Sequence, residues 1–350
     1  MNENFSAPLP ERPLLGLLTT GGTIAGAGDT PAQTIDYQAG VWDAADLLAA
    51  VPGLTAMARF RSEAVAAIDS KDITEALWRK LAARAQSLLD DPAVTGVLIT
   101  HGTDTLEETA YFLSLTLTGE KPVILTGAMR PATALSADGP ANLWNAARLA
   151  LSPKARGRGV LVTMNDEIFT AATVTKRASY RRNAFTAERG GPAGFIAGET
   201  IRFFHPVAPG ALSFALPKAA LPPVVILYGY AGDDGALVRA ALHTGAKGIV
   251  YAGPGMGSLP VPVEKELLAA RAKGVAVVRA SRLTDGLVLS PGSPAPQNAD
   301  TAASPKEEAA FIASSSLSPV KARILLQCAL AQETPLAALP QIFCQASSLS

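Results

Sequence analysis

Three stretches carry threonine and glycine directly after an apolar run: "LLGLLTTGGTIAG" (14–26), "VLITHGTDTLEETAYFLSL" (97–115) and "PVILTGAMRPATALSADGPANLWNAARLA" (122–150). A threonine hydroxyl is a weak nucleophile that needs a neighbouring group to take its proton. Thr23 and Thr103 are the candidates, because Thr105 has another explanation: with Glu108 it forms a Ser/Thr-x-x-Glu capping box at the start of a helix. A phosphate cradle is excluded. The glycines fit neither the P-loop pattern, which ends in Lys-Ser/Thr, nor the dinucleotide fingerprint with its distant acid.

The elements that must position these residues alternate between strand and helix. Buried parallel strands read as continuous apolar runs. Such runs recur at Leu14–Thr19, Val94–Thr100, Pro122–Thr126, Gly159–Met164, Val224–Gly229, Lys247–Ala252 and Gly274–Arg279. Between the first two, "ITEALWRKLAARAQSLLD" places Ile73, Leu77, Leu81, Ala85 and Leu88 on one helical face. The class is therefore α/β. Thr103 and Asp104 then stand at the carboxyl end of a parallel strand, beside a helix N-terminus, where open α/β sheets hold their ligands.

At 350 residues the chain is long enough for two domains. The proline-rich "FFHPVAPGALSFALPKAALPP" (203–223) breaks the alternation. It sets the expected division: a catalytic domain over 1–205, a linker over 206–222 and a smaller α/β domain over 223–350. The low-complexity stretch 290–305 reads as a surface loop. Thirty basic and thirty acidic residues cancel, which argues against a nucleic-acid or anionic-membrane partner. Two late cysteines and three scattered histidines give neither a disulfide framework nor a metal site. The start "MNENFSAPLPERP" lacks the basic and apolar regions of a signal peptide, and no apolar run approaches a membrane span, so a cytoplasmic protein is expected.

Together, "TGGTIAG", "THGTDTLEETAYFL", "TGAMRPATALSADGP" followed by "NLWNA", and "RGVLVTMNDEIF" with "VTK" downstream resemble the bacterial-type L-asparaginase and glutaminase-asparaginase family. The likeness continues in "KGVAVVRASR" (273–282) and "LSPVKARILLQCALAQ" (317–332), so it covers nearly the whole chain. The resemblance implies a larger flavodoxin-like N-terminal domain with a smaller α/β C-terminal domain, no cofactor or metal, and a homotetramer whose active sites lie between paired subunits. It implies a small amino-acid amide as substrate. By the same resemblance Thr23 is the nucleophile and Tyr37 its activator, carried by the polar loop "GAGDTPAQTIDYQAG" (26–40), which fits a lid. Thr103, Asp104 and Lys176 form a second triad. Ser70 and Asp104 hold the substrate's α-carboxylate and α-amino group, and Gly22 and Gly102 line the site, with nearby backbone N–H groups stabilising the oxyanion.

Read without the family, several of these residues have plainer roles. Lys176 opens the basic cluster "KRASYRR", Tyr37 is a loop aromatic, Ser70 can cap the helix that begins near Asp72, and His101 is a packed, hydrogen-bonded histidine. Alternatives to an asparaginase are a glutaminase, an amidase on a larger substrate such as misacylated tRNA, and a non-catalytic amino-acid sensor. The tRNA-dependent relatives carry an additional N-terminal domain, and a sensor is expected to lose part of the Thr23, Thr103, Asp104 and Lys176 set. The chain also departs from high-affinity members of the family. Met256 in "AGPGMGSL" stands where they have an asparagine, only Asp285 and Asp300 follow Ser281 and Arg282 where they have a glutamate, and Lys71 replaces a glutamine beside Ser70.

Overall fold

A computed structural model describes residues 12–187, 190–207, 212–289 and 311–348. The stretch 290–305, Asp300 within it and part of the expected linker lie outside them. Strand β1 (Leu14–Gly21) buries Leu15, Leu17 and Leu18 completely, so both of its faces are covered. It pairs in parallel with β2 (Arg59–Ile68) on one side and β3 (Val94–Thr100) on the other. Beyond β3 follow β4 (Val123–Thr126) and β5 (Val160–Met164), also parallel. The sheet then turns antiparallel through β6 (Glu167–Thr170), β9 (Gly194–Ala197) and β10 (Thr200–Phe203). The parallel part has the order β2-β1-β3-β4-β5, the flavodoxin-like order, with its topological switch between β1 and β3. A separate two-residue ribbon pairs β7 (Thr175–Lys176) with β8 (Phe185–Thr186).

The expected strands are found within two residues of their expected ends. Strand β2 escaped the apolar-run criterion because it is an edge strand, and only Val65 in it is buried. Register with β1 alone holds it in the sheet, and an edge strand can be polar on both faces. The helix expected over 73–90 runs from Glu75 to Asp90, with Thr74 as its cap: Thr74 Oγ1 accepts from the Leu77 N–H at 3.3 Å. Ser70 therefore does not cap it. The short 3₁₀ turn Ser70–Asp72 is capped by Asp69.

A second sheet, β11 (Val224–Tyr228), β12 (Gly248–Gly253), β13 (Ala276–Ser281) and β14 (Ile312–Ala313), is parallel throughout. The two sheets share one apolar cluster. It runs from Val97 and Leu125 through Phe112 on the helix Leu106–Thr116 to Ile324 and Leu325 on the helix Pro319–Ala331, and on to Val250 and Val278. Within it Phe112 stacks on Trp78 with ring centroids 5.3 Å apart. Phe112→Ala should cost about 3–5 kcal/mol. Because the cluster is continuous, hydrogen-exchange protection of β3 and of β12 should fall together at lower urea. Loss in β3 with β12 unchanged would show that the two sheets unfold independently.

Candidate active site

Three strand ends meet above the switch point. After β1 the chain turns through Gly21 (φ 94°) and Gly22 (φ 78°), conformations open to glycine. A Cβ on Gly22 would lie 2.2 Å from the Gly102 Cα, and one on Gly102 would lie 2.7 Å from the Ser70 Cβ. The turns after β1 and β3 thus touch backbone to backbone, and the Ser70 side chain from the turn after β2 packs on the Gly102 backbone. The Gly22 N–H is bonded to the Ile68 carbonyl at 2.8 Å, so it is not placed to stabilise an oxyanion.

Thr23 opens a short 3₁₀ turn and is 8% exposed. Its hydroxyl lies 2.5 Å from the Tyr37 hydroxyl. The loop that brings Tyr37 there is stapled by paired backbone bonds between Ala27 and Gln38, by Gly40 N–H to Gly22 O, and by Ala132 N–H to Gly26 O. The Tyr37 ring leans on Gly26, where a Cβ would come within 2.8 Å of it. Burial raises the Tyr37 phenol above its ordinary pKa; the Thr23 hydrogen bond opposes this, and the carboxylates of Asp69, Asp104 and Asp138 add to it. Tyr37 is a neutral phenol at neutral pH.

On the β3 side, Lys176 Nζ donates to Thr103 Oγ1 at 2.9 Å and to Asp104 Oδ1 at 2.6 Å. Ser70 joins this group from the β2 end. Its buried Oγ accepts from the Asp104 N–H at 3.1 Å, and its carbonyl accepts from Thr105 Oγ1 at 2.7 Å. The latter bond replaces the capping box expected at Thr105, whose side chain makes no cap bond: the hydroxyl is drawn out of the helix to the Ser70 loop. Lys71 turns to its neighbours instead, pairing with Asp72 at 2.5 Å and Asp69 at 3.6 Å.

His101 forms the floor. Its Nδ1–H donates to the Gly102 carbonyl at 2.7 Å, while Nε2 accepts from Thr109, which in turn accepts from Trp78 Nε1. Complete burial pulls its pKa down to about 4, so the ring is neutral and acts as a strut. The third strand end is held by a residue the sequence did not single out. The Asp138 carboxylate accepts from the N–H groups of Met129 and Arg130 and from Asn142 Nδ2. Its position before Gly-Pro at a helix start is the signal that could have found it. Of the expected residues in the second sheet's loops, Met256 is exposed on the turn after β12.

The structure thus brings Thr23 to Tyr37, and Thr103 and Asp104 to Lys176, with Ser70, Gly22 and Gly102 between the two groups. Such an arrangement offers two hydroxyls, each with a partner that can exchange its proton, beside backbone amides and a helix start suited to a small anionic ligand.

Comparisons with known proteins identify the family. The N-terminal asparaginase family model matches residues 15–208, and the glutaminase/asparaginase C-terminal domain model matches residues 223–343. The chain is 43% identical to L-asparaginase 2 of Bacillus subtilis over 91% of this chain and 82% of that one. It is 41% identical to glutaminase-asparaginase of Pseudomonas fluorescens over 90% of this chain and 85% of that one. Among solved structures, probable cytoplasmic L-asparaginase from Campylobacter jejuni superposes with a TM-score of 0.87 at 38% identity, covering 95% of this chain and 100% of that one. Sequence, fold and strand-end geometry therefore lead to one conclusion: this chain belongs to the asparaginase family.

Proposed function

We propose that the chain hydrolyses the side-chain amide of L-asparagine to L-aspartate and ammonia through an ester on Thr23. The observation that carries this reading is the pairing of two strand-end threonines with two different proton partners, Tyr37 at 2.5 Å and Lys176 at 2.9 Å. Thr23 Oγ1 attacks the amide carbon while its proton passes to Tyr37, and the phenol hands its own proton on toward the leaving nitrogen. A phenol that stays neutral serves as such a relay, since it must give a proton as it takes one. Ammonia leaves. Water set beside Thr103 then cleaves the ester, with Lys176 and Asp104 organising that hydroxyl. Backbone N–H groups at Thr23 and Thr103 receive the oxyanion.

Ser70 accepts the Asp104 N–H through a lone pair, which leaves its hydroxyl proton to donate to the substrate α-carboxylate. The Asp104 carboxylate, more than half exposed beside Lys176, takes the α-amino group. We also propose a homotetramer with sites completed across subunit interfaces. Tyr228, Tyr230, Met256, Leu283 and Leu287 are all exposed at the carboxyl ends of β11, β12 and β13, an apolar surface of the kind that marks an interface.

Thr23→Ala should abolish steady-state ammonia release while aspartate still binds. Normal turnover in that variant would remove Thr23 from the mechanism. Lys176→Met should lose roughly 10²–10⁴-fold in kcat, the usual range for a proton-transfer group. A variant keeping a tenth of the wild-type rate would place proton transfer elsewhere.

With Met256 where an asparagine would grip the amino end of the substrate, one charge-assisted hydrogen bond is lost, worth about 1.5–3 kcal/mol or about ten- to a hundredfold in affinity. The KM for L-asparagine should be millimolar, glutaminase activity small, and discrimination against succinamate, which lacks the α-amino group, modest. Side-by-side kcat/KM values for the three amides check this. A micromolar KM with strong rejection of succinamate would mean that other residues hold the amino group.

A further inference from the structure

Lys176 sits on a ribbon of two residues per strand, outside the main sheet, and so short a pairing cannot fix a side chain by itself. Its hold comes from behind. The Lys176 N–H donates to Glu107 Oε1 at 3.3 Å, and Glu107 stands in the first turn of the helix that follows Asp104. The other carboxylate oxygen, Oε2, is buried and makes no hydrogen bond among the described residues. It faces Lys321 Nζ at 3.8 Å.

Lys321 belongs to the helix Pro319–Ala331, which packs on the helix Leu106–Thr116 and on β11 and β12. It is 1% exposed, an unusual place for a lysine unless every donor is used. Its Nζ donates to the Ala172 carbonyl at 2.9 Å and to the Val174 carbonyl, which lie just ahead of Lys176 in the chain. Burial lowers its pKa to about 8, with the Glu107 carboxylate opposing that shift. One cation therefore ties the backbone entering Lys176 and the carboxylate that holds the Lys176 N–H.

We propose that Lys321 and Glu107 are positioning residues that hold Lys176 against Thr103 and Asp104, so that a helix packed on the second sheet sets the placement of a proton-transfer group on the ribbon beside the first. The proposal rests on the reading of Lys176 as catalytic. The flexible lysine stem does not fix Nζ by itself, so its placement against Thr103 depends on where the backbone that carries it is held. A misplacement of about 1 Å at such a group costs about 10²-fold in rate.

The test is a double-mutant cycle on the full chain, with kcat and KM for L-asparagine measured for Lys321→Met, Lys176→Met and the double variant. Lys321→Met should lower kcat by about 10–10²-fold with KM nearly unchanged, and should cost nothing further when Lys176 is already methionine. A wild-type kcat in Lys321→Met would overturn the proposal, as would a loss that multiplies with that of Lys176→Met. Should Lys321→Met fail to fold, Glu107→Ala takes its place under the same two criteria, since it cuts the link to Lys176 and leaves Lys321 bonded to Ala172 and Val174. Full activity in Lys176→Met alone would sink the catalytic reading of that lysine and is distinguishable from failure of the positioning proposal.

Discussion

The contact between Gly22 and Gly102 is the constraint on which the site depends. With 2.2 Å between a hypothetical Gly22 Cβ and the Gly102 Cα, no side chain fits, so the loops leaving β1 and β3 meet at the closest approach two backbones allow. The strand order makes the meeting possible. At a switch point the two connections leave in opposite directions and open a crevice beyond the carboxyl ends of the strands. Glycine lets the crevice floor close, and Thr23 and Thr103, each next to one of the touching glycines, rise on either side of it.

Around that floor each threonine hydroxyl has a side-chain partner of a different kind. Tyr37 arrives on a loop, is partly buried among carboxylates and stays neutral. Lys176 arrives on a ribbon and is paired with Asp104. On the proposed reading the phenol suits a step in which one proton is taken as another is given, and the lysine, hydrogen-bonded to Thr103 and Asp104, suits ordering that hydroxyl and exchanging its proton. Beneath both, the chain from Trp78 through Thr109 and His101 to the Gly102 carbonyl fixes the glycine loop with a histidine kept neutral by burial.

Much of this was legible in the sequence, for physical reasons that also explain what was not. A strand buried on both faces must be apolar throughout, so β3 was found at its actual ends, Val94 and Thr100. β2, on the edge, carries no such pattern. The capping-box reading of Thr105 failed because local spacing cannot see Ser70, which claims the hydroxyl from 35 residues earlier in the chain. Lys176 lies in a basic run and is singled out by family resemblance alone. Glu107 and Lys321 were invisible, since the charge that compensates a buried lysine comes from a distant part of the chain.

The central claim is an ester on the hydroxyl of Thr23, and rapid acid quench of the protein while it turns over L-asparagine, followed by peptide mass spectrometry, tests it most directly. An aspartyl group should be found on the peptide holding Thr23 and should vanish in Thr23→Ala. An aspartyl group on the peptide holding Thr103, with Thr23 unmodified, would contradict the account.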